Sequence, residues 1–128
     1  VSGGTITLPY AAMKIEAGLP YTHIIEPLPP AMNDGLAGRK KRLVKAIFRL
    51  KETQALRLDV GRGLKDVPLK QFGADEILDA PPPIISGDIN VRALGWQTDA
   101  TKGFWRIEQN IPYAFTLLSV ATEFKVNE

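Results

Sequence analysis

Apolar and polar residues alternate in short runs along most of the chain. In residues 5–8, for example, Ile6 and Leu8 alternate with threonines. A period of two places every second side chain on the same face of an extended strand. This pattern predicts strands over residues 5–8, 13–17, 21–28, 56–60, 67–69, 88–93, 104–108 and 118–126. In the last strand it places the following residues on one face: Leu118, Val120, Thr122, Phe124 and Val126.

Proline and glycine punctuate these runs throughout the chain, as is typical of many short strands. Gly18 can adopt a positive φ without steric penalty and Pro20 fixes its own φ, so the pair predicts a sharp corner between the second and third strands. Pro27, Pro29 and Pro30 cannot donate to a ladder. The strand at residues 21–28 therefore ends there or lies at a sheet edge.

Residues 39–54 fit two patterns. As a strand, Val44, Ala46, Phe48 and Leu50 share one face. As a helix, Leu43, Ile47 and Leu50 fall on one side, and the Lys, Leu, Ala and Glu content favours that form. Because the segments around it alternate with a period of two, the strand is the more consistent interpretation.

Together these elements predict an all-β fold. Strands at this spacing are typical of an antiparallel β-sandwich or a barrel-like domain, with at most short helical turns such as one at residues 72–79. A length of 128 residues suits a single β-rich domain over residues 1–128. Since the chain starts at Val1 without an initiator methionine and enters a strand almost at once, we expect it to be a fragment of a longer protein.

The composition excludes several classes of protein. With 45% hydrophobic and 23% charged residues the chain belongs to the ordinary globular class. It has no cysteine, which excludes disulfides, thiol nucleophiles and cysteine-based zinc sites. No apolar run approaches the roughly 20 residues that a membrane helix needs, so no membrane partner is predicted. The net charge of +2 is too small to indicate nucleic acid binding by itself.

The candidate catalytic groups all have a simpler explanation. His23 is the single histidine, without a nucleophile or a second histidine at a typical spacing. Asp75, Glu76 and Asp79 have the helical spacing of a solvated face. The Gly-Arg-Gly sequence at residues 61–63 lacks the rest of a phosphate-binding loop and is better explained as a tight turn. We therefore predict a protein that is not an enzyme and has no catalytic residue, cofactor or metal.

A cluster of cations between residues 39 and 51 is the most conspicuous charge feature. Its members are Arg39, Lys40, Lys41, Arg42, Lys45, Arg49 and Lys51. On a strand, alternation points Lys45, Arg49 and Lys51 to the same side as Lys41, which gives one basic sheet face. Such a face can neutralise the phosphates of nucleic acid without reading its sequence. It can also be a solvated face or an inter-subunit salt-bridge surface, and the sequence leaves these alternatives open.

Five aromatic residues raise the alternative of a carbohydrate-binding or host-surface-binding module: Tyr10, Tyr21, Trp96, Trp105 and Tyr113. Their positions on alternating segments also suit packing in the core or at its rim.

Several stretches, taken in order, resemble a bacteriophage family. They are VSGGTITLP at residues 1–9, AGLPYTHIIEPLP at residues 17–29, GRKKRLVKAIFRLKETQALRLDVG at residues 38–61, APPPIISGDINV at residues 80–91 and WRIEQNIPYAFTLLSV at residues 105–120. Their order resembles the closing region of the tail nozzle, or packaged-DNA-stabilisation, proteins of short-tailed phages and prophages.

The resemblance implies a structural role in the virion. The chain would be the C-terminal domain of a longer, β-rich tail protein that forms a ring below the portal, with other tail or portal proteins as partners. Its location would be the virion tail, after assembly in the bacterial cytoplasm. The family's Gly-Leu-Pro-Tyr motif maps onto residues 18–21, and its basic run maps onto residues 39–42, where it would face DNA or a neighbouring subunit.

Overall fold

The computed structural model describes residues 3–15, 17–30, 39–69, 82–97 and 101–127. Seven strands run through these ranges: β1 (His23–Ile25), β2 (Lys41–Thr53), β3 (Arg57–Asp59), β4 (Leu64–Asp66), β5 (Ile85–Arg92), β6 (Arg106–Gln109) and β7 (Leu117–Val126). The described ranges contain no helix, which confirms the all-β prediction. The helical turn predicted at residues 72–79 lies outside them.

The longest strands build a three-stranded antiparallel sheet in the order β5-β2-β7. The strand interpretation of residues 39–54 is confirmed by β2, the central strand, which is hydrogen-bonded on both sides. Ala46, Phe48 and Leu50 are buried, whereas the residues between them lie on the outer side. One face of β2 is buried and the other is not, and this two-residue period is that of a strand and not of a helix.

A β-bulge changes the faces at the start of β2. Leu43 is paired with Phe124 and Lys45 with the adjacent Glu123, so Val44 is an extra residue in the ladder. Leu43 is buried in place of Val44, which corrects the predicted core face. Lys41 is two residues before Leu43 on the same strand, so it lies on the same side of the sheet, the core side. The prediction that Lys41 shares a face with Lys45 is therefore wrong.

The four short strands form the second antiparallel sheet, in the order β1-β6-β3-β4. The strand predicted at residues 21–28 is reduced to β1, which lies at a sheet edge and ends before Pro27, as the prolines required. The tight turn predicted at residues 61–63 is confirmed between β3 and β4. Gly61 and Gly63 there have φ values of 103° and 90°, and the Asp59 carboxylate accepts both of their N–H groups.

The two sheets pack face to face as a sandwich, and neither closes into a barrel. The buried apolar residues form one cluster: Leu43, Ala46, Phe48, Leu50, Leu56, Leu58, Leu69, Ala93, Phe104, Trp105 and Ile107. Phe48 of the first sheet meets Trp105, which directly precedes β6 of the second, edge to face with ring centroids 5.3 Å apart. Phe104 contacts Phe124 of β7 with centroids 5.1 Å apart. Aromatic contacts between the sheets thus add specific geometry to the area that is buried.

The first 22 residues depart most from the prediction. Strands were predicted at residues 5–8 and 13–17, and the described residues there, 5–8, 13–15 and 17, show only an isolated bridge at Thr5. Residues 17–22 form neither a turn nor a bend, and the φ of Gly18 lies outside the positive region. The sharp corner predicted at Gly18 and Pro20 is therefore wrong, because the described residues of the preceding segment, 13–15 and 17, form no strand for it to join.

Two smaller corrections concern strand limits and faces. The short strand near Pro68 lies at Leu64–Asp66 instead of residues 67–69. In β7, an irregularity in the pairing near Ser119 leaves Leu117 against the core and Leu118 exposed. Leu118 therefore does not share the face of Val120 and Phe124, because a bulge breaks the period of two.

Candidate functional site

The outer face of the β5-β2-β7 sheet gathers most of the predicted cations. Arg42, Lys45, Arg49 and Lys51 alternate with the buried side chains of β2 and therefore lie on this face. Arg39 and Lys40 lie just before β2 and are exposed. Lys41, which also belongs to the predicted cluster, is turned to the core side instead.

The neighbouring strands extend this basic surface with residues that the sequence pattern did not connect to it. Arg92 of β5 lies directly opposite Lys45. Lys125 of β7 lies directly opposite Arg42. We define the basic patch as Arg42, Lys45, Arg92 and Lys125. The alternation in both edge strands indicated that Arg92 and Lys125 are polar-face residues, but their pairing partners could not be known without the strand register.

At the other end of the same face the charge is neutralised. The Arg49 guanidinium donates to both carboxylate oxygens of Asp88, at 2.8 and 3.1 Å. These hydrogen bonds hold the pKa of Asp88 below its ordinary value and raise that of Arg49. Arg49 therefore adds little net charge to the face, although the sequence placed it in the basic run.

The outer face of the second sheet has a different charge pattern. Arg57 lies 3.1 Å from Asp66, and Arg106 lies 2.9 Å from Glu108 and 3.9 Å from Glu26. Its arginines are paired with acids. In contrast, none of the four residues of the basic patch forms an ion pair with any residue that the structure describes.

A cleft of about 370 Å³ opens beside the patch, between the β3–β4 turn and residues 94–97 and 102–106. Trp96 lines it and is 46% exposed, and the Arg42 guanidinium lies 5.6 Å from the centre of its ring. The charged groups that line the cleft have both signs: Glu26, Asp59, Lys102 and Arg106. An aromatic ring beside carboxylates is a suitable arrangement for a small polar ligand such as a sugar.

The other aromatic residues of the carbohydrate alternative do not join this cleft as an exposed surface. Trp105 is buried in the core. Tyr10, Tyr21 and Tyr113 are exposed and do not line the cleft. Only Trp96 of the five thus combines exposure with a cavity.

His23 lies against aromatic rings, with centroids 5.2 Å from Phe115 and 6.2 Å from Tyr21. Within the described residues there is no group of three or more His, Cys, Asp or Glu side chains placed to hold a metal. The acidic cluster of Asp75, Glu76 and Asp79 lies outside the described ranges.

The N-terminal arm, which comprises residues 3–15 and 17–22, presents large apolar side chains to solvent. They are Ile6, Leu8, Tyr10, Met13, Ile15, Leu19 and Tyr21. Leu19 is 90% exposed and Tyr10 is 73% exposed. Monomeric proteins rarely expose so many apolar groups in one segment, and such surfaces are typical of interaction sites.

No protein-family model, curated protein or solved structure matches this chain. The resemblance to phage tail proteins therefore depends on the ordered motifs described above. In the ranges that the structure describes, no helix is long and apolar enough to cross a lipid bilayer.

Proposed function

We propose that the chain is a non-enzymatic assembly domain of a phage tail, of the nozzle or packaged-DNA-stabilisation type. Its partners are other tail or portal proteins and further copies of the full-length chain in a ring below the portal. The protein is assembled in the bacterial cytoplasm and becomes part of the virion tail. The resemblance of the ordered motifs supports this assignment, and the observation that carries the assembly role is the exposed apolar N-terminal arm.

The arm has the alternating sequence pattern of strands, but its described residues form no strand. Residues 5–8 and 13–17 alternate with a period of two, yet the described chain provides no partner ladder for them. A segment of this kind completes its hydrogen bonds by adding to a sheet of another chain. β1, which follows the arm, already lies at the edge of its own sheet.

The apolar side chains of the arm provide a driving force for such docking. Burial of seven fully exposed large residues would contribute roughly 10–20 kcal/mol at about 1.5–3 kcal/mol each, and the arm offers less than this because Leu8 is only 37% and Ile6 53% exposed. Association is estimated to cost about 4–15 kcal/mol in lost translational and rotational freedom. Burial of most of the arm against a partner is therefore of the same order as this cost.

The experiment compares assembly of full-length protein variants by sedimentation. Tyr10→Asp combined with Leu19→Asp places two charges on the arm and should abolish the ring. Ile84→Asp combined with Leu118→Asp is the matched control, since both residues are exposed apolar residues of the body. Equal assembly of the two variants, or a full-length wild-type protein that stays monomeric, would contradict the proposal. So would hydrolysis of glycans or nucleotides by the domain.

A carbohydrate-binding module is the second candidate, favoured by the cleft beside Trp96. Trp96→Ala should remove binding on a glycan array without loss of the fold. Trp105→Ala is not a useful second variant for this test, because Trp105 is part of the core and its truncation would destabilise the fold. A wild-type domain that binds no glycan on the array would exclude this alternative.

A further inference from the structure

We propose that the basic patch of Arg42, Lys45, Arg92 and Lys125 binds the phosphate backbone of double-stranded DNA without reading its sequence. The inference rests on the outer face of the β5-β2-β7 sheet. It is independent of the N-terminal arm and of its docking.

Positive charge is concentrated on this surface. The four patch residues provide four cations against one acid, Glu123, which lies opposite Lys45. The local net charge is thus +3 in a chain whose total is +2, so the remainder carries −1. A surface of this kind attracts a polyanion and orients it toward one face.

The strand register places like charges directly opposite each other twice. Lys45 faces Arg92 across the β2–β5 ladder, and Arg42 faces Lys125 across the β2–β7 ladder. Like charges at such positions destabilise a sheet. Elsewhere in the described molecule the arginines of the strands are paired with acids. A bound polyanion would relieve both repulsions. Binding of a polyanion therefore explains the two like-charge pairs, whereas a role as a solvated face does not.

The geometry of the patch suits a phosphate backbone. Side chains on one face are about 6.6 Å apart along a strand, and adjacent strands are about 4.8 Å apart. The phosphates of duplex DNA present one charge per roughly 1.7 Å of helix axis, or about 3.4 Å per strand. Four cations on three adjacent strands therefore lie within reach of several phosphates at once.

The neighbouring side chains favour duplex DNA over other polyanions. The middle of the face carries Asn90, Ile47 and Ala121 in one row across the three strands. The row contains no aromatic ring on which the bases of a single strand would stack, and the exposed ring beside the patch, that of Trp96, is already in contact with the Arg42 guanidinium, 5.6 Å from its centre. Ile47 and Ala121 are the apolar residues of this row, and the lysines beside it, Lys45 and Lys125, are of a type that is depleted in protein–protein interfaces.

The test uses the 128-residue chain and a fluorescently labelled 30-base-pair duplex. Binding is measured by fluorescence anisotropy over a range of salt concentrations. We expect the logarithm of the affinity to fall with the logarithm of salt concentration with a slope of about −4, for about four neutralised phosphates. Lys45→Gln combined with Lys125→Gln should reduce the slope by about 2. Lys14→Gln combined with Lys65→Gln removes the same charge from exposed sites outside the patch and should leave the slope unchanged.

Each alternative result overturns the proposal. Absence of duplex binding at low salt would exclude it, and an equal loss in both double variants would show that only net charge matters. Tighter binding of a single strand, or of polyglutamate, would assign the patch to a different partner. Two unrelated duplex sequences should bind equally, and a preference of more than a few-fold would exclude readout of the backbone alone. None of these results depends on ring formation, so failure here is distinguishable from failure of the assembly proposal.

Discussion

Phe48 in the centre of β2 packs edge-on against Trp105, at an interplanar angle of 84°, and so connects the two sheets of the sandwich. Phe48 is fully buried, and Trp105 is 8% exposed. The pair lies in the apolar cluster to which strands of both sheets contribute. The stability of the sandwich should therefore be most sensitive at this contact.

Truncation of this contact gives the first prediction. Phe48→Ala should lower the free energy of unfolding by about 3–5 kcal/mol, through lost burial and the cavity that remains. Denaturant titration followed by tryptophan fluorescence measures this change. Leu118→Ala is the control, since Leu118 is 57% exposed on β7, and it should change stability by no more than about 0.5 kcal/mol. Similar losses in both variants would contradict the core described here.

Gly103 and Gly18 should respond oppositely to alanine. A Cβ atom at Gly103 would meet the carbonyl oxygen of Pro27 and lie 2.9 Å from its Cγ atom, so Gly103→Ala should cost about 1–3 kcal/mol. Gly18 has no atom within 4 Å of such a Cβ and no positive φ. Gly18→Ala should be neutral or stabilising by up to about 1 kcal/mol. Thermal unfolding of the two variants checks both signs, and equal tolerance would exclude the close approach of Gly103 to Pro27.

Gln109 should be replaceable by an apolar residue. Its side chain is fully buried in β6, and neither Oε1 nor Nε2 has a hydrogen-bond partner in the described molecule. Removing an unpaired buried amide while keeping the length of the side chain should stabilise the fold. We expect Gln109→Met to raise the free energy of unfolding by about 1–2 kcal/mol. Gln109→Ala, which leaves a cavity, should lower it, and a loss of stability in Gln109→Met would reveal a hydrogen bond to the amide.

The Arg49–Asp88 pair predicts a titration that can be followed by NMR. Hydrogen bonds from Arg49 hold the folded-state pKa of Asp88 below its ordinary value of 3.8. The contribution of the pair to stability is therefore fully present above that value and is lost as the pH falls through the lower, folded-state pKa. Arg49→Gln should return the pKa of Asp88 to the ordinary range. An unchanged pKa in this variant would show that the pair does not persist in solution.

Reversal of one charge in the basic patch should separate stability from binding. Arg92→Glu replaces a like-charge pair with an ion pair opposite Lys45. It should raise the free energy of unfolding by about 0.2–1 kcal/mol. The same change should weaken the binding of duplex DNA. Arg92→Gln, which removes the repulsion without adding an ion pair, should give intermediate values, and a decrease of stability in both variants would contradict the repulsion described here.

Local pattern was sufficient wherever an element depended on its own residues. Pro27 marked the limit of β1, and the Gly-Arg-Gly sequence at residues 61–63 identified the turn between β3 and β4. In both cases the missing N–H of proline or the conformational freedom of glycine acts within a few residues, so the sequence alone contains the information. β2 needed more than its own residues, because residues 39–54 fitted a helix as well and the two-residue period of the surrounding segments decided for a strand.

Other features depended on contacts between distant segments. The bulge at Val44 reversed the side on which Lys41 lies, and the pairing of β2 brought Arg92 and Lys125 beside the basic run. Asp88, 39 residues away in sequence from Arg49, neutralised a cation that the linear pattern had placed in the basic cluster. None of these relationships has a local signature.

The N-terminal arm shows most clearly what cannot be predicted from the sequence alone. Its alternating residues determined that the segment is suited to strand formation, but not whether a partner strand exists for it. A β-strand gains its hydrogen bonds only from a neighbour, in contrast to a helix, which provides its own. The sequence by itself therefore determined which segments are suited to be strands, and only the tertiary structure decided which of them pair, in what register, and which charges share a face.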